Sequence, residues 1–317
     1  MKKEYFLLIL IIASLSAYLF FHNKNQDNYK LPEIAKIDQA DIESIELIKN
    51  DKTIICFKEN DKWVVTQDKF SGNQVTFKEM TAALENLKIT TLISEKEDFK
   101  RYDLDADKAI KVIARDKNNI LREFTLGKTA PTQKHTFIAL KNPENNKINI
   151  FHASGNLRRM FNKSVDNLRD KQIQQFDIAS IQTMEIIKDN LKRTFTKTET
   201  KDQPWKSFDK KDVKQNELNS LIESLSDLRC SNYIENKDKA SLDNKTPLLA
   251  ITLETEQTPG QSYIMKIFPK TDQDKYMGLS SQNKYLFILE NHVADNIISH
   301  MDKLLNLKPK NANDGNS

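Results

Sequence analysis

Glycine is scarce, with six residues in a chain of 317. That excludes collagen-like and glycine-rich flexible chains, and it leaves little material for a glycine-rich phosphate loop. Cysteine is scarcer, with Cys56 and Cys230 alone. Two thiols cannot build a disulfide scaffold. A single bridge stays open, but Cys56 falls in a predicted strand and Cys230 follows a predicted helix, and such non-equivalent positions favour two buried thiols. Neither charge sign dominates: 49 basic and 45 acidic residues leave a net charge of +4, with the signs interspersed. A chain without a one-sided field is a poor match for nucleic acid, so no nucleic-acid partner is expected. The short basic groups Arg158-Arg159 and Lys210-Lys211 sit beside acids or amides and read as solvated surface. Long apolar runs are absent after residue 21.

The exception lies at the start. Tyr5 to Phe21 reads YFLLILIIASLSAYLFF without a charge, after Lys2 and Lys3 and before His22-Asn23-Lys24. Seventeen residues make about 25 Å of helix, the short end of a membrane span. Ser14-Leu15-Ser16 before Ala17 is a weak match to a cleavage site, so a cleaved signal peptide is the competing reading. No cysteine is placed for a lipoprotein. The expectation is a cytoplasmic tip and membrane anchor over residues 1–24, with the membrane contacted through residues 5–21. That topology implies a single-pass protein of the bacterial inner membrane, N-terminus in the cytoplasm and bulk periplasmic.

The rest of the chain repeats itself. Ile37 to Lys49 can be laid on Phe176 to Lys188, with Asp, Ala, Ile, Glu, Ile and Lys in register. Trp63 then falls near Trp205, Val75 on Val213 and Leu104-Asp105 on Leu242-Asp243, a domain-sized period of about 138 residues. Each copy opens with short β-like runs and continues into an amphipathic helix. Met80, Ala83, Leu84 and Leu87 stand at helical spacing in the first, and Leu218, Leu221, Ile222 and Leu225 in the second. Thr76 with Glu79 has the form of a capping box, while Ser154 and Asn291 are placed to cap two later helices. Alternating segments follow, as Ala109–Ala114, Leu121–Leu126, Thr136–Leu140 and Ile148–Phe151 do in the first copy. The expected fold class is α+β: a transmembrane helix, then two tandem repeats of an antiparallel sheet packed with helices. The expected boundaries are a linker at 25–34, repeats at 35–164 and 176–306, a connector at 165–175, and a disordered tail at 307–317.

Several elements together resemble the domain-of-unknown-function 4340 family: the anchor, the opening strand, Lys62-Trp63, the turn Tyr102-Asp103-Leu104-Asp105, and the connector Asp166-Asn167-Leu168-Arg169-Asp170-Lys171. The resemblance covers roughly residues 35–300. Asp103 stands where the family usually has Gly, and Asp tolerates a left-handed backbone better than most residues. The resemblance implies a membrane-tethered, extracytoplasmic companion of transport systems of the ABC type related to gliding-motility exporters. It supplies no catalytic residue.

Chemistry is hard to find. The histidines are His22, His135, His152, His292 and His300, with no H-x-x-x-H spacing. His292 and His300 flank one helix but lie too far apart for one metal. Gly127-Lys128-Thr129 lacks an upstream glycine and reads as a hairpin turn. Glu95, Glu97 and Asp98 form a run of exposed acids beside lysines, without the differing environments that acid–base work needs. Trp63 and Trp205 read as core anchors, and Arg169 with Asp170 as a hydrogen-bonded clasp between modules. No catalytic, cofactor or metal residue is expected, and no enzyme. The expected role is a non-catalytic, anchored scaffold or accessory protein with a protein partner in the cell envelope. The alternatives are a solute-binding module feeding a transporter and, behind it, an envelope-polymer hydrolase.

Overall fold

The computed structural model describes residues 3–24, 31–66, 68–96, 98–141, 147–199, 204–234, 242, 245–255 and 262–307. The expected tail at 307–317 apart from Leu307, together with Glu97, Asp243 and most of the 25–34 linker, lies outside the described residues. The chain divides into two compact units, Met1–Asp170 and Lys171–Ser317.

The first unit begins with helix α1 (Lys3–Lys24). Here the expected anchor is corrected. Among the described residues no helix is long and apolar enough to cross a membrane. The transmembrane helix of the expected fold class, the membrane contact through residues 5–21, and the single-pass inner-membrane topology with a periplasmic body rested on that span and fall with it. The anchored, transporter-linked role and its envelope partner lose their support for the same reason.

Beyond α1 the architecture is α+β. The first unit folds β1 (Ser44–Lys49), β2 (Lys52–Glu59), β3 (Lys62–Val65), β4 (Phe70–Ser71), α2 (Gln74–Glu85), β5 (Ile89–Ser94), β6 (Ile110–Arg115), β7 (Ile120–Thr129), β8 (His135–Lys141), β9 (Ile148–Ser154), α3 (Leu157–Phe161) and α4 (Val165–Leu168). One antiparallel sheet takes the strands in the order β4-β3-β2-β1-β6-β7-β8-β9-β5. The second unit contains β10 (Gln172–Gln175), β11 (Ile181–Lys188), β12 (Leu191–Lys197), β13 (Trp205–Ser207), α5 (Gln215–Ser226), β14 (Asp227–Arg229), β15 (Asn232–Tyr233), β16 (Leu249–Thr255), β17 (Ser262–Ile267), β18 (Tyr276–Ser280), β19 (Phe287–Leu289) and α6 (Asn291–Leu305). Its main sheet runs β13-β12-β11-β16-β17-β18-β19-β15, and β10 pairs with β14 beside it. Apart from β4, the two sheets trace the same path.

Local chemistry explains the hairpins. Asn50-Asp51, Asn60-Asp61 and Asp189-Asn190 each close a two-residue turn with both residues at positive φ. Asn and Asp enter the left-handed region at lower cost than other side-chain-bearing residues, and this turn matches the twist of the strands it joins. The helices then cover one face of each sheet. Phe77, Met80 and Leu84 of α2 are wholly buried against Ile45, Cys56 and Val65 in one core. Leu218, Leu221, Ile222 and Leu225 of α5 are buried with Ile297 and Met301 of α6 in the other.

The caps differ from the expected ones. Asn73 caps α2 by accepting from the Thr76 N–H. Asn156, not Ser154, caps α3 through the Arg159 N–H. Asn291 lies within α6, after Glu290 at the cap. In each case the side chain one or more residues away has the non-helical backbone that a cap needs.

Candidate functional site: a lysine-rimmed cleft in the second unit

The two tryptophans are core. Trp63 is 6% exposed and stacks on Phe77 at 4.7 Å between ring centroids, and Trp205 is 4% exposed. Gly127 belongs to β7 and not to a hairpin turn: a Cβ there would stand 2.2 Å from the Tyr102 carbonyl oxygen, so its lack of a side chain serves close packing. Asp103 takes the left-handed conformation at φ 55° and turns the chain so that Leu104 is buried. Arg169 lies with its guanidinium 3.8 Å from the Phe70 ring centroid, and the Asp170 N–H donates to the Ser71 carbonyl. Both contacts fall within the first unit. Cys56 and Cys230 are buried free thiols, and burial pushes the Cys56 thiol up to about 12.

Several polar and charged side chains of the second unit are engaged in structural bonds. Arg193, 6% exposed on β12, donates to the Ser207 hydroxyl at 3.0 Å and to the carbonyls of Leu304 and Asp212 at 2.7 and 3.0 Å. The Ser207 hydroxyl also donates to Asp209, which holds that carboxyl below its usual range. Glu217 of α5 receives His300 at 2.6 Å and Lys303 at 3.0 Å from α6, and its carboxyl is depressed by those bonds, His300 first. The Lys188 ammonium pairs with Asp302. Burial, then the bond to Asp295, raises the Tyr276 phenol. These pairs join helices to strands and to each other.

A different arrangement lies on the other side of the second sheet. Leu242, Phe268, Met277 and Leu286 form a small apolar cluster there, apart from the main core. Phe268 and Met277 make the floor of a cleft of about 540 Å³. Its walls are Lys245, Thr246, Pro269, Lys270, Thr271 and Asp272. Volume of this order suits a small ligand, and an apolar floor with a few polar groups at the rim is the usual form of such sites. The Lys270 ammonium pairs with Asp274 at 2.8 Å, and that bond raises the lysine and lowers the carboxyl. Lys245 stands exposed at the opposite wall. Sequence reasoning missed this cleft because its lining comes from two separated segments, 245–246 and 268–277, with no local spacing to mark it.

The histidines separate as well. His300 is engaged by Glu217, and His292 lines a different recess with Ser224, Asp227 and Arg229. His135 and His152, 17 positions apart, lie side by side on β8 and β9 with centroids 5.4 Å apart and planes at 22°. Among the described residues no group of three or more His, Cys, Asp or Glu is placed to hold a metal ion.

An α+β protein with two large antiparallel sheets and, among the described residues, a lysine-rimmed cleft is the class that fold and site define. The sequence model of the family described as Domain of unknown function (DUF4340) matches residues 63–247. That is more than half of the chain, and the chain belongs to this family. The match corrects the expected resemblance over 35–300. It is one span that starts in β3 and ends before β16, so it marks neither a membrane anchor nor two copies of a module. No curated protein and no solved structure matches the chain.

Proposed function

We propose that this protein is a non-catalytic binding protein, and that the Phe268–Met277 cleft takes a small ligand with an apolar body and an anionic group. The cleft is the observation that carries the reading. Phe268 and Met277 are apolar, and the rim carries the ammonium groups of Lys245 and of Lys270, the latter paired with Asp274, beside the Asp272 carboxylate. An ammonium above an apolar floor complements a carboxylate or phosphate attached to a hydrocarbon or aromatic body.

The carboxylates support the non-catalytic part. General acid–base work needs groups whose environments push their affinities for protons apart. Asp116, Asp209, Glu217 and Asp274 are all shifted down, each first by a hydrogen bond to its ionised form. Within this set no two carboxyls are pushed apart in the way acid–base work requires.

The test is ligand-observed NMR with the full chain and a panel of hexanoate, benzoate and phenyl phosphate. Saturable binding is expected, with at least a tenfold weakening in the Lys245→Ala/Lys270→Ala double variant. Absence of binding by every probe, or equal binding by the variant, would sink the reading, as would catalytic turnover that depends on the cleft.

A further inference from the structure

We propose that His135 and His152 form a two-imidazole site for a divalent metal ion of the zinc, nickel and copper class. The sheet itself brings them together. In the β8–β9 register His135 faces Ser154 and Phe137 faces His152, so the two histidines are diagonal neighbours on one face of the first sheet. Their centroids lie 5.4 Å apart. A metal–nitrogen bond is about 2.0–2.1 Å, so two imidazoles meeting tetrahedrally on one ion have ring centres roughly 5 Å apart. The observed planes, inclined by 22°, are too nearly parallel for both nitrogens to aim at one point. A turn of one ring about its terminal torsion corrects the aim and leaves the centres nearly in place, and that torsion is soft.

A second observation points to a ligand. The Nε2 of His152 is buried and has no hydrogen-bond partner among the described residues. A buried ring nitrogen without a partner is costly and calls for one. Phe137 walls the same ring at 4.5 Å and itself packs on Tyr102 at 4.8 Å, so the surroundings are apolar. Such a wall disfavours the charged imidazolium and leaves the ring nitrogen a neutral donor. Burial, then the neighbouring His135, lowers the His152 imidazole, which keeps it neutral and able to ligate near neutral pH. With no third protein ligand among the described residues, water completes the coordination. The site is therefore an exchangeable one and not a closed structural centre. Lys134, next to His135 in sequence, is a cation, which confines the site to ions that bind nitrogen strongly.

Titration calorimetry of the full chain with nickel chloride at pH 7.5 tests this. One ion per chain is expected, at least tenfold weaker in His135→Gln and in His152→Gln, and unchanged in His300→Gln. Copper(II) bound to the unmodified chain should show spin coupling to two nitrogens in its paramagnetic resonance spectrum, which decides the matter if a variant fails to fold. Affinity unaltered in either variant, no binding up to millimolar nickel, or coupling to other than two nitrogens overturns the proposal.

Discussion

The side chain of Gln74 holds both backbone groups of Trp63. The Trp63 N–H donates to its Oε1 at 3.1 Å, and its Nε2 donates to the Trp63 carbonyl at 3.2 Å and to Gly72 at 2.8 Å. The second unit uses the same device: Gln215 accepts from the Trp205 N–H at 3.2 Å and donates to its carbonyl at 2.8 Å. A short strand is thereby tied to the first residue of the helix that follows it. Replacing Gln74 by Leu leaves the part-buried Trp63 N–H without this acceptor, while the Trp63 carbonyl keeps the Gly72 N–H at 2.9 Å. An unsatisfied group of this kind costs about 1–3 kcal/mol. Urea denaturation should show the loss, and Gln74→Glu, which keeps the acceptor but not the donor, should lose less.

Arg193 ties β12 to three other positions of the second unit. Its replacement by Met removes donors from Ser207 and from the carbonyls of Leu304 and Asp212. A loss of about 2–4 kcal/mol is expected, measured by urea denaturation. The equivalent change at exposed Lys206 should be close to silent.

Acid should weaken the second unit through its depressed carboxylates. In Asp209, Glu217 and Asp274 the folded form binds its proton less readily than the unfolded chain does. On acidification the unfolded state therefore takes up protons first. The stability these groups contribute is complete above the ordinary carboxylate range, about pH 4, and is lost as pH falls below it. Denaturation midpoints at pH 6, 4 and 3 check this. Glu217→Gln should flatten part of the slope, and no decline in the midpoint between pH 4 and pH 3 would contradict the assignment.

Gly127→Ala should destabilise the first unit, because the new methyl meets the Tyr102 carbonyl at 2.2 Å and the Leu104 side chain at 2.9 Å. Backbone cannot yield as a flexible side chain can. A loss of about 1–3 kcal/mol is expected, in the range of overpacked cores. Thermal denaturation reads it. Inorganic phosphate should protect neither form.

The thiols give a simple check on packing. Cys56 is wholly buried with its thiol pushed up to about 12, and Cys230 is buried too. The thiolate is the reactive form. Ellman's reagent at pH 8 should therefore find neither thiol in the folded chain and two after denaturation in guanidinium.

The sequence by itself determined the local elements. Helical spacing at Met80 and Leu84, and at Leu218, Leu221, Ile222 and Leu225, was enough to place α2 and α5 and their buried faces, because one helical turn sets which side chains share a side. The tryptophans were legible as core because they recur at matching positions in the two halves. The caps were misplaced by one or more residues, since several polar side chains stood near each helix start and only backbone conformation chose among them. The apolar stretch at the start was legible as a helix, but length and composition alone did not establish a span. Only the tertiary structure decided what lies beside what. Strand pairing put His135 next to His152, folding joined 245–246 to 268–277 around one cleft, and the Gln74 amide found Trp63 across a turn. Such neighbours are set by register and packing among distant segments, and no spacing along the chain records them.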